Sequence, residues 1–210
     1  EIIQEKKVLL IGLGGVGSYA LEALVRNGFM KVTVVDYDKI ELSNVNRQLM
    51  TDSTNIGHSK VIESLLRAKR INPTIEIDGI EKKITNENIE DILNMGFDYV
   101  IDACDDISVK FLLMEKTIHY SYTLISCMGT AKKMDPTKLE ITTLEKTAND
   151  PLARILRKKV KSAALNKKIH VVSSRELPLK TESLGSNNLV PSVAGLLTVS
   201  FIIQDILKFH

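Results

Sequence analysis

Cysteine is scarce in this 210-residue chain: Cys104 and Cys127 are the only two. Two thiols cannot build a disulfide framework or a four-thiolate zinc site, and a reducing cytosol is their simplest setting. Long uncharged apolar runs are also missing. None reaches the ~18–20 residues that a bilayer-crossing helix needs; the nearest, Val193 to Ile203, is closed by Gln204 and Asp205. No signal peptide is visible. The chain opens on Glu1 rather than methionine, so further sequence is expected upstream. Acids are absent between Pro151 and His170, where seven Lys or Arg fall, whereas Glu76 to Asp106 carries ten acids against Lys82 and Lys83. The net charge of +2 hides this asymmetry, which points to a polyanionic partner for the C-terminal third. An apolar fraction of 44% and a charged fraction of 26% suit one large α/β domain, or a domain with a small appendage.

What is present is organised around residues 7–17, KVLLIGLGGVG. Val8 to Ile11 is an apolar run of the length of a strand buried on both faces. Gly12, Gly14, Gly15 and Gly17 follow, and Ser18 to Arg26 reads as a helix. Strand, glycine turn and helix N-terminus together form a phosphate cradle, because glycines let the backbone approach an anion and the helix end offers free N–H groups. Gly12, Gly14 and Gly17 satisfy GxGxxG, a pattern shared by many nucleotide-binding folds; Gly15 is an extra glycine. Lys31 to Asp36 is a second strand, and Asp36 stands where an acid about 20 residues past the glycines bonds a ribose hydroxyl.

Residues 37–50 form a polar connection longer than a plain βαβ unit uses, a length that tends to be functional. Asn44, Asn46, Arg47 and Gln48 make it a dense donor cluster, with the Arg47 fork suited to phosphate oxygens. A helix is expected over Ser59 to Ile71, with Val61, Leu65, Leu66 and Ala68 as its buried stripe. Lys60 lies in its first turn, where a cation opposes the helix dipole and calls for an anion nearby. Thr74 to Ile80 reads as a strand, Asn86 to Asn94 as a short helix, and Tyr99 to Asp102 as a buried strand running into Asp105 and Asp106. These three acids sit at the sheet edge where open α/β folds bind ligands, and they are candidates for Mg²⁺ beside a phosphate, one of them serving as a helix cap. Cys104, among them, reads as a buried small residue rather than a nucleophile.

A helix over Ile107 to Tyr120 and a strand over Thr123 to Cys127 follow, then an antiparallel strand over Lys138 to Thr143. Asp150 caps a helix that runs to about Ala164, with Leu152, Ile155, Leu156 and Val160 as its apolar side. Arg154, Arg157, Lys158 and Lys161 line its other side, a candidate nucleic-acid contact or a solvated face. Ile169 to Val172 is a strand, 180–190 a flexible loop and Pro191 to Leu207 a closing helix. The order predicts a Rossmann-like, doubly wound α/β fold, mostly parallel and extended by antiparallel strands in the C-terminal part. Residues 1–130 would be the nucleotide-binding core and 131–210 an extension within the same domain. A nicotinamide dehydrogenase would use the glycines and Asp36, but an ATP-cleaving enzyme would also use Arg47, Lys60 and the strand-end acids.

GxGGxG, then Asp36 and Asp38 in VDxD, LSNxNRQ over Leu42 to Gln48, Gly57 to Lys60 as GxxK, and Asp102 with Asp105 as DxxD resemble the ubiquitin-activating-enzyme-like adenylyltransferases. The resemblance implies ATP as the nucleotide, attacked at its α-phosphate by a carboxylate. It implies Asp36 on ribose, with Asp38 and Asp102 as further site residues. Asn44, Arg47, Gln48 and Lys60 would stand at the phosphates, and Asp105 would hold Mg²⁺. Farther on, Asp135 to Thr137, Leu144 to Thr147, Asp150 to Ala153 and Val190 to Gly195 look like the branch of tRNA threonylcarbamoyladenosine dehydratases. That branch implies tRNA as partner rather than DNA, a cytoplasmic homodimer, and a sulfur-relay or carrier protein as a further partner. The paired-cysteine zinc motifs of sulfur-carrier activators are absent, as is a cysteine placed for thioester transfer. No arginine precedes Arg26, where relatives usually carry one before the first strand.

Overall fold

The computed structural model describes residues 2–180 and 185–208. A short helix α1 (Ile2–Glu5) leads into strand β1 (Lys7–Ile11) and helix α2 (Gly17–Arg26). Then come β2 (Lys31–Val35), α3 (Lys60–Ile71), β3 (Glu76–Ile80), α4 (Ile89–Leu93) and β4 (Tyr99–Asp102). The chain continues through α5 (Ile107–Lys116), β5 (Thr123–Cys127), β6 (Leu139–Thr143), α6 (Pro151–Ser162), β7 (His170–Ser174) and α7 (Leu189–Lys208).

The seven strands form one sheet in the order β3-β2-β1-β4-β5-β7-β6, parallel except for the β6–β7 pair. The doubly wound fold with an antiparallel C-terminal edge is therefore as expected. Because β7 is bonded between β5 and β6, the C-terminal part completes the same sheet as the glycine turn. The strand order reverses at β1, between β2 and β4, and the glycine turn leaves β1 there, at the switch point where open α/β sheets hold ligands.

β1 shows why its sequence reads as an unbroken apolar run. Val8 and Leu10 enter the core beneath α2 and α7, while Leu9 and Ile11 enter a second core beneath α5 and α6. A strand covered on both faces has no use for polar alternation. α7 has the length and composition of a bilayer-crossing helix, with a mean hydropathy of 1.7, but half of that window is buried within the protein. It packs on α2 and on β5, β6 and β7. Gly195 makes the α2 contact possible, since a Cβ there would lie 2.3 Å from the Val16 carbonyl oxygen. Tyr99 pins the far end of α7 by donating to Asp205 Oδ2 at 3.1 Å.

Several boundaries differ from the sequence expectations. α4 and α5 are shorter, and α7 begins two residues before Pro191, so Leu189 and Val190 are helical rather than loop; residues 181–184 of the expected flexible loop lie outside those described. In α3 the buried side is Val61, Ser64 and Ala68, with Lys60, while Leu66 is exposed. In α6 it is Ala153, Leu156 and Val160, and Ile155 is exposed.

Candidate active site

A cleft of about 490 Å³ opens over the C-terminal ends of β1, β2, β4 and β5. Its floor is the glycine turn. Gly12 has a φ of +90°, which disfavours any side chain, and donates to the Val35 carbonyl at 2.8 Å. A Cβ on Gly17 would lie 1.8 Å from the Gly12 oxygen, so only glycine closes the turn. Asp36, 9% exposed, staples it: Oδ2 accepts from the Leu13 N–H at 2.6 Å and Oδ1 from the Asp38 N–H at 2.9 Å. Each oxygen keeps a further lone pair for a hydroxyl.

The 37–50 connection folds back against this turn. Leu42–Asn44 is a single 3₁₀ turn, held by the buried Asn44, whose Oδ1 accepts from the Glu41 N–H at 3.1 Å. Arg47 donates one Nη1 to the Ser43 carbonyl at 2.7 Å and to Asn46 Oδ1 at 2.8 Å. Its stem lies over Gly15, with Cγ and Cδ each 3.4 Å from where a Cβ would be. Gln48 is buried, lines the cleft and leaves Oε1 without a hydrogen-bond partner among the described residues.

Lys60 arrives from the other side. Ser59 caps α3, accepting from the Ile62 N–H at 3.3 Å. Lys60 follows with its side chain 7% exposed and donates to Asp38 Oδ2 at 2.9 Å. Asp38 thus supplies an anion for a cation that the helix dipole alone would disfavour.

The three acids after β4 separate into distinct tasks. Asp106 caps α5, accepting from Ser108 and Val109, with Lys83 3.6 Å away. Burial works against its charge, yet these N–H groups and Lys83 hold its carboxyl below the usual range. Asp102, expected at the ligand, is instead fully buried and bonded to Lys110, Ser126 and Cys104, so it is withdrawn from the cleft. Of the three, Asp105 alone is exposed; it lines the cleft and carries no hydrogen bond or ion pair among the described residues. Among the described residues no group of three or more His, Cys, Asp or Glu is placed to hold a metal. The lone Asp105 fits Mg²⁺ that brings phosphate oxygens and water as its remaining ligands.

Burial first and the Asp102 carboxylate second push the Cys104 thiol well above its ordinary pKa, and burial pushes Cys127 up to about 12. Both stay protonated and poorly nucleophilic. Iodoacetamide in mildly alkaline buffer is therefore expected to label neither thiol in the native protein and both after unfolding, read by intact mass. Rapid native labelling of Cys104 would mean that the site holds a thiolate.

Tyr37, Lys82, Lys83, Ile84, Met128 and Leu152 also line the cleft, none of them anticipated as site residues. Lys83 stands 5.7 Å over the Tyr37 ring as well as beside Asp106. The visible signal was a lysine pair interrupting an otherwise acidic stretch. On α6, Arg154, Lys158 and Lys161 are exposed as expected of a contact surface. Arg157 is not part of it. It turns inward and donates to the Leu144 and Thr147 carbonyls, at 3.5 and 2.9 Å, and to the Thr147 hydroxyl.

A model of the ThiF family matches residues 1–173. The chain belongs to the ThiF family. Among curated relatives, the tRNA threonylcarbamoyladenosine dehydratase of Bacillus subtilis (strain 168) is 36% identical over 227 residues, covering 99% of this chain and 89% of that protein. tRNA threonylcarbamoyladenosine dehydratase 2 of Saccharomyces cerevisiae is 39% identical over 181 residues, covering 85% of this chain and 40% of that protein. The chain thus spans less than half of the yeast relative. Among solved structures, the E. coli tRNA N6-threonylcarbamoyladenosine dehydratase in complex with ATP superposes with a TM-score of 0.93 at 29% identity, covering 99% of this chain and 88% of that chain. The match extends past residue 173, so this ThiF chain shares its C-terminal strands and helices with that structure as well as its glycine turn.

Proposed function

We propose that this chain is an ATP-dependent adenylating enzyme, a tRNA threonylcarbamoyladenosine dehydratase. It activates the threonyl carboxylate of the modified adenosine and promotes its cyclisation. The observation that carries this reading is one continuous cleft, running from the glycine turn past Arg47, Lys60 and Asp105 to Leu152 on the basic helix α6. The phosphate-binding groups line this one cleft, and α6, which supplies Leu152 to it, carries the candidate RNA-contacting cations outside the lining, on its other side.

In this reading the backbone of residues 12–17 cradles the phosphates and Asp36 accepts from a ribose hydroxyl. Arg47 presents its remaining guanidinium N–H groups, Gln48 its amide, and Lys60 the ammonium protons not committed to Asp38. These groups stabilise charge as the threonyl carboxylate oxygen attacks the α-phosphorus. The bond from that phosphorus to the bridging oxygen breaks, and pyrophosphate leaves with the electron pair. Asp105 would hold Mg²⁺, which when bound neutralises charge on the phosphate oxygens. The carbamoyl group then closes on the activated carbonyl, loses a proton and expels AMP. Adenylate is the leaving group, so no thiol enters the path, which suits the buried Cys104 and Cys127.

The same reading carries tRNA as partner through Arg154, Lys158 and Lys161, with residues 1–130 as adenylation core and 131–210 as extension. By family resemblance it carries a cytoplasmic homodimer and a sulfur-relay or carrier protein as a further partner. The test is incubation of tRNA bearing threonylcarbamoyladenosine with the protein, ATP and Mg²⁺, followed by mass spectrometry of the nucleosides. The expected result is a nucleoside lighter by one water, with AMP formed in equal amount. AMP and pyrophosphate formed with a small sulfur-carrier protein and not with tRNA would replace this reading by that of a carrier adenylyltransferase.

A further inference from the structure

Beneath the cleft lies a buried ionic cluster to which the reaction scheme gives no task. Asp102 closes β4, Lys110 comes from the first turns of α5, and Ser126 and Cys127 end β5. The Asp102 and Lys110 side chains are 0% and 1% exposed, with Lys110 Nζ 3.0 Å from Asp102 Oδ2. Lys110 also donates to the Cys127 carbonyl at 2.7 Å and to Ser126 Oγ at 3.5 Å. Three protons meet three acceptors, so none is left for a substrate. Asp102 is equally occupied. Oδ2 also accepts from Ser126 Oγ at 2.5 Å, and Oδ1 accepts from the Cys104 N–H at 3.3 Å and its Sγ at 3.1 Å.

The geometry assigns Lys110 as a positioning residue for the adenylation site: through Asp102 it fixes the 103–106 loop and so sets where Asp105 stands. Asp102 grips Cys104 by backbone and side chain, and Asp105 is the next residue. The same loop forms the wall behind the glycine turn. A Cβ on Gly12 would meet the Ala103 oxygen at 2.8 Å and the Cys104 nitrogen at 2.9 Å. A shift of this loop therefore moves Asp105 and opens or blocks the turn at once. A buried ion pair is a poor stability device, because a well-packed apolar pair of similar volume is often as stable. Its value here is directional. It orients the cleft carboxylate of Asp105 from β4, α5 and β5 together.

This assignment rests on the reading of Asp105 as the Mg²⁺ holder, and the experiment separates the two. ATP affinity is measured by isothermal titration calorimetry with Mg²⁺ and with EDTA, with a thermal melt of every variant. The wild type is expected to bind ATP more tightly with Mg²⁺, and Asp105→Asn to lose that gain. Lys110→Met is expected to lose on the order of tenfold of the Mg²⁺-dependent gain while binding metal-free ATP nearly as the wild type does. Ser126→Ala, which removes one hydrogen bond from Asp102, loses part of the gain, and Lys110→Arg restores part. A folded Lys110→Met with the wild-type gain overturns the assignment. If Lys110→Met does not fold, Ser126→Ala decides: a wild-type gain there overturns it equally. An Asp105→Asn variant that keeps the full gain overturns the reading of Asp105 itself, and the assignment with it.

Discussion

Lys60→Ala is expected to slow AMP formation by about 10²–10³-fold at saturating ATP and tRNA, the cost of removing one preorganised group that stabilises transition-state charge. Two effects act in the same direction. The ammonium that answers charge on the phosphates is gone, and Asp38, 2.9 Å from it in the native site, becomes an unpaired carboxylate facing them. The Asp38 side chain is 48% exposed, so solvent screens its half of the pair, while the Lys60 stem is buried at 7% exposure and its truncation lowers the melting temperature through lost packing; the melt of the variant separates that loss from the loss of turnover. Arg47→Ala is expected to act more on the Michaelis constant for ATP, because its stem also covers Gly15 and its Nη1 braces the Ser43 turn. Arg47→Lys should recover little, since a point charge cannot replace a planar fork already anchored on one side. Quenched-flow or steady-state AMP release, with melts of each variant, checks both. A Lys60→Ala enzyme with near wild-type turnover would remove Lys60 from the phosphates.

The parts of this site that were legible in the sequence are those held by local chemistry. The glycine spacing dictates a tight turn wherever it follows a buried strand, and Asp36 lies one βαβ repeat later because that repeat has a fixed length. Ser59 as a cap places Lys60 in the first helical turn whatever the tertiary structure. Asp150 and Asp106 cap their helices for the same reason, accepting from Ala153 and Ser108.

What the sequence left open depended on partners distant in the chain. Asp102, Asp105 and Asp106 are equivalent as letters, and only their surroundings divide the work. Asp102 is drawn inward because Lys110 and Ser126 converge on it from α5 and β5, and nothing in the local string records that meeting. Lys133, in a buried pair with the α6 cap Asp150 at 3.1 Å, is a similar case, since the capping role of Asp150 is written locally but its ion pair is not. Lys82 and Lys83 reach the cleft only because β3 is an outer strand whose exit loop returns over β2 and β4. The exposed Leu66 and Ile155 show the converse limit. Helical period marks a face, but the width of the neighbouring element decides how much of that face is covered.

The basic helix α6 tests the RNA half of the proposal, and its geometry divides four similar residues into two groups. The triple replacement Arg154→Glu, Lys158→Glu and Lys161→Glu is expected to weaken tRNA binding on the order of 10²–10³-fold at low salt, as cations that neutralise phosphates give way to anions that repel them. It should also flatten the dependence of log K on log salt by about 0.9 for each duplex phosphate that is no longer neutralised. These side chains are exposed, so the melting temperature should hardly move. Arg157→Glu should behave in the opposite way. Its guanidinium ties α6 to the 144–147 turn, and a carboxylate in its place would face the Leu144 and Thr147 carbonyls, acceptor against acceptor. That variant is expected to melt lower by the equivalent of about 1–3 kcal/mol. Any weakening of RNA binding there should track the unfolded fraction, with an unchanged salt slope. Filter binding over a salt series, paired with melts, separates the two. If the triple variant bound tRNA as tightly as the wild type with the same slope, α6 would be a solvated face and the RNA would have to enter the cleft from another side.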